Sequence, residues 1–301
     1  MYYENRGGKI HYKEIGEGIP ILMIHGLGCH MGLMENCMEP LFNGNFIKDY
    51  NDEMNGINSS FKRIYVDLPG QGKSELPMEL ANSDGLLDVM TDFARQVIRE
   101  DFVMVGESYG GYLSRGIMTK MMDKVMGLGL ICPVGVPDRT KRELPEMNMR
   151  IIDCNFAEKM MAKNRREMSE FMETAAVVNE KTYDRYRRDI RDAAPTIQRN
   201  FIRELLKNYL MSFEPDEIIA DEKFMKPAVF IMGRQDIVTG YRDFMNMYEC
   251  YPRATMLILD GGGHQLQREN IPVFETAMKN WLGSIAVNAE INNLSIDKDK
   301  K

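Results

Sequence analysis

The sequence predicts an α/β fold in which a mostly parallel β-sheet is covered by helices on both faces. Short apolar runs bounded by turn residues recur along the chain, and this is the pattern of buried parallel strands. Amphipathic helical stretches alternate with these runs. Polar and glycine-rich motifs stand directly after the runs, and sheets of this kind form their sites at the carboxyl ends of the strands.

The first half of the chain contains a predicted hairpin, four strands and two helices. The hairpin turns at Arg6-Gly7-Gly8 and continues to Ile15 with alternating character. The runs that we assign to buried strands are Pro20–Ile24, Arg63–Val66, Phe102–Val105 and Val125–Cys132. Apolar residues at helical spacing predict helices from Ser83 to Arg99 and from Tyr109 to about Met122. Extra polar residues between Asn43 and Lys62 predict a surface loop.

From about Val134 to Phe224 the short apolar runs disappear, and the sequence becomes charged and helical. Amphipathic helices are predicted at Phe156–Ala175, Lys181–Ala194 and Ile197–Met211. Strands then resume at Ala228–Met232 and Thr255–Leu259, followed by a last helix at Pro272–Leu282. The prediction is therefore a core of residues 1–133 and 225–284, a helical insertion of residues 134–224, and a polar tail of residues 285–301 that frays.

Composition and charge exclude several classes of function. The chain has 301 residues, a net charge of −7 and no basic stripe, so a nucleic-acid partner is not expected. The longest apolar run, from Ile19 to Leu27, is too short to span a membrane, and the first residues carry no apolar leader. The five cysteines are scattered without a C-x-x-C pair, which predicts neither a disulfide framework nor a zinc site and favours the cytoplasm. The oligomeric state does not follow from the sequence.

A candidate nucleophile stands in the stretch VGESYGG, where Ser108 lies between Gly106 and Gly110. The G-x-S-x-G pattern alone arises by chance in roughly one chain in ten of this length. Here a predicted strand precedes it and a predicted helix follows, which is the setting of a nucleophile elbow. The competing interpretation is a serine that merely caps the helix.

A serine hydroxyl needs a base to take its proton, and the chain has four histidines. His11 belongs to the hairpin, whereas His25 and His30 flank the turn after the first core strand. His264 alone follows Ser108 in the chain, in a glycine-rich loop directly after a predicted strand. We therefore expect His264 to be the base.

The base needs an acid that fixes its tautomer. Asp236 ends a core strand one strand-helix unit before His264, and Ser, Asp, His is one of the chain orders in which such triads occur. Asp260 and Asp138 are the rivals; Asp260 more plausibly forms a turn, and Asp138 follows the strand that ends at Cys132. We expect Asp236 to be the acid.

An acyl-transfer site also needs donors for the oxyanion. The backbone N–H of Tyr109, directly after the serine, is one candidate. The loop His25-Gly26-Leu27-Gly28 supplies the other, for which we predict the N–H of Leu27.

Five motifs, HGLG, DLPGQGKS, GESYGG, GRQD and GGGH, occur in an order and spacing that resemble the α/β-hydrolase superfamily. The resemblance covers residues from about 8 to 284 and implies the α/β-hydrolase fold, with the insertion at the place where that superfamily carries a helical cap. It also implies a Ser108–His264–Asp236 triad that works without metal or organic cofactor. The segment from Asp67 to Ser74 resembles a loop that usually braces the site.

The resemblance favours a serine hydrolase that cleaves a small or medium carboxylic ester. Haloalkane dehalogenases and epoxide hydrolases of this fold use an aspartate nucleophile, whereas Ser108 stands here. Proline iminopeptidases typically carry H-G-G-P-G in place of HGLGC. An amidase or peptidase, a carbon–carbon bond hydrolase and a non-catalytic ligand-binding protein remain alternatives.

The insertion is expected to set specificity, but its side chains do not reveal the substrate. Acidic residues are interspersed among its basic ones, which predicts a solvated face with ion pairs. The basic residues are Arg165, Arg166, Arg185, Arg187, Arg188 and Arg191. Its apolar residues, such as Phe156, Met160, Met161, Phe171 and Met172, more often pack helices together than line a pocket.

Overall fold

The computed structural model describes residues 1–42, 60–146 and 150–298, with side chains to residue 289. The predicted surface loop between Asn43 and Lys62 lies mostly outside these residues. Eight strands form one sheet: β1 (Tyr2–Asn5), β2 (Gly8–Ile15), β3 (Ile19–Ile24), β4 (Phe61–Val66), β5 (Phe102–Glu107), β6 (Val125–Ile131), β9 (Ala228–Gly233) and β10 (Ala254–Leu259). The hairpin and the six core strands are confirmed.

The sheet has the order β1-β2-β4-β3-β5-β6-β9-β10. Strand β2 pairs antiparallel with β1 and β4, and all other neighbours are parallel. Because β3 lies between β4 and β5, the order reverses at this point and a crevice opens at the carboxyl ends of β3 and β5. The HGLG loop follows β3 and Ser108 follows β5, so the topology places both at this crevice.

Helices cover both faces of the sheet. Alternate residues of each strand point to opposite faces, so that Leu22 and Ile24 enter one apolar core whereas Ile21 and Met23 enter the other. Helices α2 (Ser83–Phe93) and α3 (Tyr109–Met121) pack in the first core, and α1 (Gly32–Phe42) and α11 (Ile271–Lys298) in the second. Each fully buried large apolar side chain stabilises the fold by roughly 1.5–3 kcal/mol. The parallel sheet between two layers of helices confirms the predicted fold class.

The segment 134–224, called the insertion below, lies between β6 and β9 and forms five helices in its described part. They are α4 (Cys154–Lys163), α5 (Arg165–Thr174), α6 (Glu180–Tyr186), α7 (Arg199–Lys207) and α8 (Pro215–Glu222), with a short parallel pair of β7 (Ile151–Ile152) and β8 (Val177–Val178). The expected single helix from Phe156 to Ala175 is wrong. Asn164 interrupts it, and its side chain accepts a hydrogen bond from Glu167 N at 3.2 Å to begin a second helix.

The insertion has an apolar core of its own. Phe171 belongs to this core, and Phe156, Met160, Met161 and Met172 are partly buried and pack against it. Phe171 lies at its centre with Tyr183 and Tyr186. The exposed Arg166 pairs with Glu170 at 2.9 Å, and the exposed Arg187 pairs with the buried Glu167 at 3.1 Å. The prediction of a charged face with ion pairs is thus confirmed.

Two short helices, α9 (Arg242–Met245) and α10 (Leu266–Glu269), precede the long terminal helix α11. The expected end of that helix at Leu282 is wrong, since α11 continues to Lys298. Ile285 and Ala286 are buried against the second core, so apolar packing extends the helix into the predicted polar tail. Within the described part of the chain, no helix combines the length and apolar character needed to cross a bilayer.

Candidate active site

A cavity of about 620 Å³ lies at the carboxyl ends of β3, β5, β6 and β9. Its floor includes Leu27, Ser108, Tyr109 and His264, and the insertion forms the opposite wall. The wall residues from its helices and their connections are Glu170, Thr174, Tyr186, Ile190, Leu206, Tyr209 and Leu210. The segment directly after β6 adds Val134, Pro137, Asp138, Arg139 and Arg142. Leu206 and Leu210 are about half exposed, at 48% and 52%, and so lie at the cavity's rim. A cavity of this volume accommodates a small or medium organic ligand.

Ser108 occupies a sharp turn between β5 and α3. Its φ of +54° lies in the left-handed region, which costs energy for a residue with a side chain and is typical of functional turns. Ser108 N donates to Ile131 O at 3.0 Å, and Gly111 N and Val134 N donate to Ser108 O at 3.0 and 3.1 Å. A β-carbon at Gly106 would lie 2.5 Å from Gly110 O, so the turn can close this tightly only with glycine there.

His264 connects Ser108 to Asp236. Its Nε2 lies 3.0 Å from Ser108 Oγ, and its Nδ1 lies 2.9 Å from Asp236 Oδ2. Ser108 and His264 are 9% and 7% exposed, and Asp236 is fully buried. The structure therefore brings together the three side chains that the sequence analysis selected.

Burial and mutual charge shift the pKa values of His264 and Asp236 in opposite directions. Burial alone would lower the pKa of His264, but the charge of Asp236 and its hydrogen bond outweigh burial and raise that pKa above 6.5. Burial would raise the pKa of Asp236, yet His264 and the Thr239 donors hold it below its ordinary value. Asp236 thus stays ionised while His264 can exchange a proton.

Neither rival carboxylate reaches His264. Asp138 lines the cavity, but its Oδ1 accepts from Thr140 N at 3.0 Å and its Oδ2 pairs with Lys141 at 3.6 Å. Asp260 accepts a hydrogen bond from Gln235 Nε2 at 2.8 Å, which fixes the turn after β10.

The other three histidines have structural partners away from Ser108 Oγ. Burial lowers the pKa of His25 to about 4, so its ring is neutral; Leu68 N donates to its Nε2 at 2.9 Å. His11 pairs with Asp67 at 2.8 Å, and His30 accepts from Gly32 N at 3.0 Å. The loop from Asp67 to Ser74 braces the HGLG loop, as expected from the resemblance.

The N–H groups of Leu27 and Tyr109 are the free amides at the cavity floor. In the HGLG loop, the Gly26 N–H faces the Glu107 carboxylate, and Gly28 N donates to Gln71 Oε1 at 2.5 Å. By contrast, the Leu27 and Tyr109 N–H groups donate to no acceptor among the described residues. Both can therefore donate to a ligand. The Tyr109 ring points away, with its hydroxyl 2.8 Å from Ser83 Oγ.

Three residues of the site were not selected from the sequence. Thr239 Oγ1 donates to Asp236 Oδ2 at 2.7 Å, and Thr239 N donates to Asp236 Oδ1 at 3.1 Å. Glu269 binds the loop of His264 through Gly263 N at 2.6 Å. Glu107 is buried directly before the serine, and burial raises its pKa. Of these three residues, only Thr239 could have been predicted from the sequence, because a threonine hydroxyl three residues after an aspartate can form a hydrogen bond to its carboxylate.

One group of possible metal ligands occurs among the described residues, formed by Cys132, Asp236 and His264. Their ligand atoms lie within 4.8 Å of one another. Burial raises the pKa of the Cys132 thiol well above its ordinary value, so the thiol keeps its proton. The His264 and Asp236 atoms are already hydrogen-bonded to each other, which favours proton transfer over metal binding at this place.

Known proteins resemble this chain in sequence and in structure. An alpha/beta superfamily hydrolase from Oenococcus oeni PSU-1 is 26% identical, with a TM-score of 0.80 over 95% of this chain and 99% of that one. An esterase from Exiguobacterium antarcticum shares the fold at 16% identity, with a TM-score of 0.67 over 91% of this chain and 96% of that one. Haloalkane dehalogenase 2 of Mycobacterium tuberculosis is 25% identical over 130 residues, which span 43% of this chain and 40% of the dehalogenase.

The alpha/beta hydrolase family matches residues 21–275, a range that begins in β3 and ends in α11. It therefore includes the HGLG loop, Ser108, Asp236 and His264, as well as the insertion. This chain belongs to the alpha/beta hydrolase family, and it is an enzyme of that family.

Proposed function

We propose that this enzyme is a serine hydrolase that cleaves a small or medium carboxylic ester through an acyl-enzyme. The observation that carries the proposal is the hydrogen-bonded chain Ser108–His264–Asp236 on the floor of a cavity. Its two contacts, 3.0 and 2.9 Å, are within the reach needed for proton transfer and for orientation of the base.

In the first half of the reaction, Ser108 Oγ attacks the ester carbonyl carbon while His264 Nε2 takes its proton. The Leu27 and Tyr109 N–H groups hold the oxyanion of the tetrahedral intermediate. The bond to the alcohol oxygen then breaks, and His264 gives its proton to that oxygen. Asp236 stabilises the imidazolium throughout.

In the second half, a water molecule attacks the acyl carbon as His264 removes its proton. The bond to Ser108 Oγ breaks, Ser108 regains a proton from His264, and the carboxylic acid leaves. Each step uses only groups of this chain, the ester and water.

The insertion is proposed to be a cap over this site. It forms one wall of the cavity, and Thr174 O accepts a hydrogen bond from His264 N at 3.1 Å. Ser108, which replaces the aspartate nucleophile of dehalogenases of this fold, favours ester cleavage over removal of a halide.

The first test is Ser108→Ala, which should abolish hydrolysis of 4-nitrophenyl butyrate without changing the melting temperature. A fluorophosphonate probe should label the natural chain and fail to label the variant. Hydrolysis retained by Ser108→Ala would overturn the proposal. A panel with aminoacyl amides and vinylogous diketones shows whether amides or carbon–carbon bonds are cleaved instead of esters.

A further inference from the structure

Two arginines, Arg139 and Arg142, line the cavity that contains Ser108. We propose that the substrate carries a carboxylate group and that Arg142 and Arg139 bind this group in the cavity. This inference rests on the proposed function and extends it by naming the class of ester, one that bears a free carboxylate.

The guanidinium of Arg142 is held in place by backbone carbonyls. Its Nε donates to Val136 O at 2.7 Å, its Nη1 to Val238 O at 2.9 Å, and its Nη2 to Pro137 O at 3.2 Å. These carbonyls belong to the segments after β6 and β9. Arg142 is therefore a preorganised cation rather than a mobile surface side chain.

No described carboxylate forms an ion pair with Arg139 or Arg142. Arg142 is half-buried, and burial lowers its pKa, although a guanidinium stays charged at neutral pH. The carboxylates of Asp236 and Asp243 act on Arg142 electrostatically, but neither lies within ion-pair distance of it. Tyr209, which also lines the cavity, lies near Arg142, whose positive charge lowers the pKa of the Tyr209 hydroxyl against the effect of burial. A cation held in a cavity without a direct ion-pair partner can bind an anion there.

The acidic groups of the same cavity are already occupied. Asp138 pairs with Lys141 and accepts from Thr140, and Glu170 pairs with Arg166 at 2.9 Å. Glu107 is 2% exposed and faces the Gly26 amide. The two arginines therefore remain as the charged groups of the cavity that can recognise a substrate.

A carboxylate suits this site better than a neutral polar group. A guanidinium binds the two carboxylate oxygens in a planar, bidentate geometry, and Arg139 adds a second positive charge. Within a cavity of about 620 Å³, Arg142 and Ser108 can engage two ends of one medium-sized molecule. The competing interpretation is that Arg142 merely ties the two loops together, and the experiment must separate recognition from that structural role.

The substrates are matched pairs that differ in one charge. On the acyl side, mono-4-nitrophenyl adipate is compared with 4-nitrophenyl hexanoate. On the alcohol side, 4-carboxyphenyl butyrate is compared with 4-carbamoylphenyl butyrate. The expected result is at least a tenfold higher kcat/KM for the charged member of one pair, mainly through a lower KM. Equal kcat/KM within both pairs would overturn the inference.

The variants are Arg139→Gln and Arg142→Met, with Arg142→Lys as the conservative change and Arg165→Gln as the control. Arg165 is an exposed arginine of the insertion that does not line the cavity, so its loss removes the same charge elsewhere. The cavity variants should lose the preference for the charged ester, with kcat/KM falling at least tenfold more for the charged ester than for the neutral one. If Arg142 had a purely structural role, its replacement would lower kcat/KM equally for the charged and the neutral ester, and that result would contradict recognition of the carboxylate.

A binding measurement separates this inference from the proposed reaction. Calorimetry with Ser108→Ala compares 6-amino-6-oxohexanoate with hexanamide, and the anion should bind at least tenfold tighter. Adding Arg142→Met or Arg139→Gln should remove the difference. If neither ester pair is hydrolysed but the anion binds selectively, the proposed function fails and the carboxylate site stands. If esters are hydrolysed without this selectivity, the carboxylate site fails alone.

Discussion

Replacing Asp236 by asparagine tests the mechanism at the residue whose geometry is most constrained. Asp236 Oδ1 accepts Val238 N at 2.8 Å and Thr239 N at 3.1 Å. In Asp236→Asn, the amide oxygen must keep these two bonds because an NH₂ group cannot accept them. The NH₂ group then faces His264 Nδ1 and donates to it. That bond places the histidine proton on Nε2, where it prevents the acceptance of a proton from Ser108.

The expected loss follows from the same geometry. When His264 becomes an imidazolium, its charge lies next to the carboxylate, with 2.9 Å between the bonded atoms and almost no solvent. Two unit charges about 4 Å apart interact by about 4 kcal/mol at an effective dielectric constant of about 20. Each 1.36 kcal/mol is about tenfold in rate, so charge loss alone costs about three orders of magnitude. With the wrong tautomer added, we expect kcat to fall by about 10³- to 10⁴-fold.

The assay is the steady-state hydrolysis of 4-nitrophenyl butyrate, together with the rate of fluorophosphonate labelling at Ser108. Asp138→Asn and Asp260→Asn are matched controls, each with an expected change within about threefold. Melting temperatures show whether each variant is folded. A folded Asp236→Asn enzyme that keeps more than a tenth of the natural kcat would refute the reasoning, as would an equal loss in Asp138→Asn.

Two further predictions concern the same group of residues. The acid limb of the pH profile of kcat/KM should have its midpoint above pH 6.5, because the raised pKa of His264 keeps this base protonated at lower pH. In Asp236→Asn the limb should move to lower pH, since burial then dominates the pKa of His264. A limb that does not move would show that another group titrates there. Thr239→Val removes the 2.7 Å hydrogen bond to Asp236, so it should lower kcat by about tenfold and the free energy of unfolding by about 1 kcal/mol. Thr239→Ser keeps the hydroxyl and should retain both values. Steady-state kinetics and urea unfolding measure the two effects.

The sequence predicts the fold and the floor of the site well because both depend on local patterns. Strand ends are marked by apolar runs that stop at glycine or aspartate, and a parallel sheet brings those ends to one edge. The place of Asp236 at a core strand end, one strand-helix unit before His264, favoured it over its rivals, although Asp138 also lies at the cavity. Each residue of the floor lies within a few positions of the strand end that places it, so the local sequence motifs were enough to predict its location.

The wall of the cavity could not be predicted in the same way. Which residues of the insertion face Ser108 depends on how its helices dock, and this is set by long-range packing that periodicity does not encode. Phe171 and Tyr186 belong to the same apolar core, but of the two Tyr186 alone also lines the cavity. Arg142 illustrates the limit best, because it joins the carbonyls of Val136 and Pro137 in its own segment to that of Val238, 96 residues further along the chain.

The loop of His264 is fastened to the insertion as well as to the sheet. Glu269 accepts hydrogen bonds from Gly263 N and, at 2.7 Å, from Ala176 N. Arg185 Nη1 also donates to Arg268 O at 2.8 Å. Pulling the insertion away on this side would leave these buried groups unpaired, at a cost of about 1–3 kcal/mol each. The position of the base and the shape of the wall are therefore coupled, so a substitution that loosens the insertion here should change the rate of proton transfer as well as substrate binding.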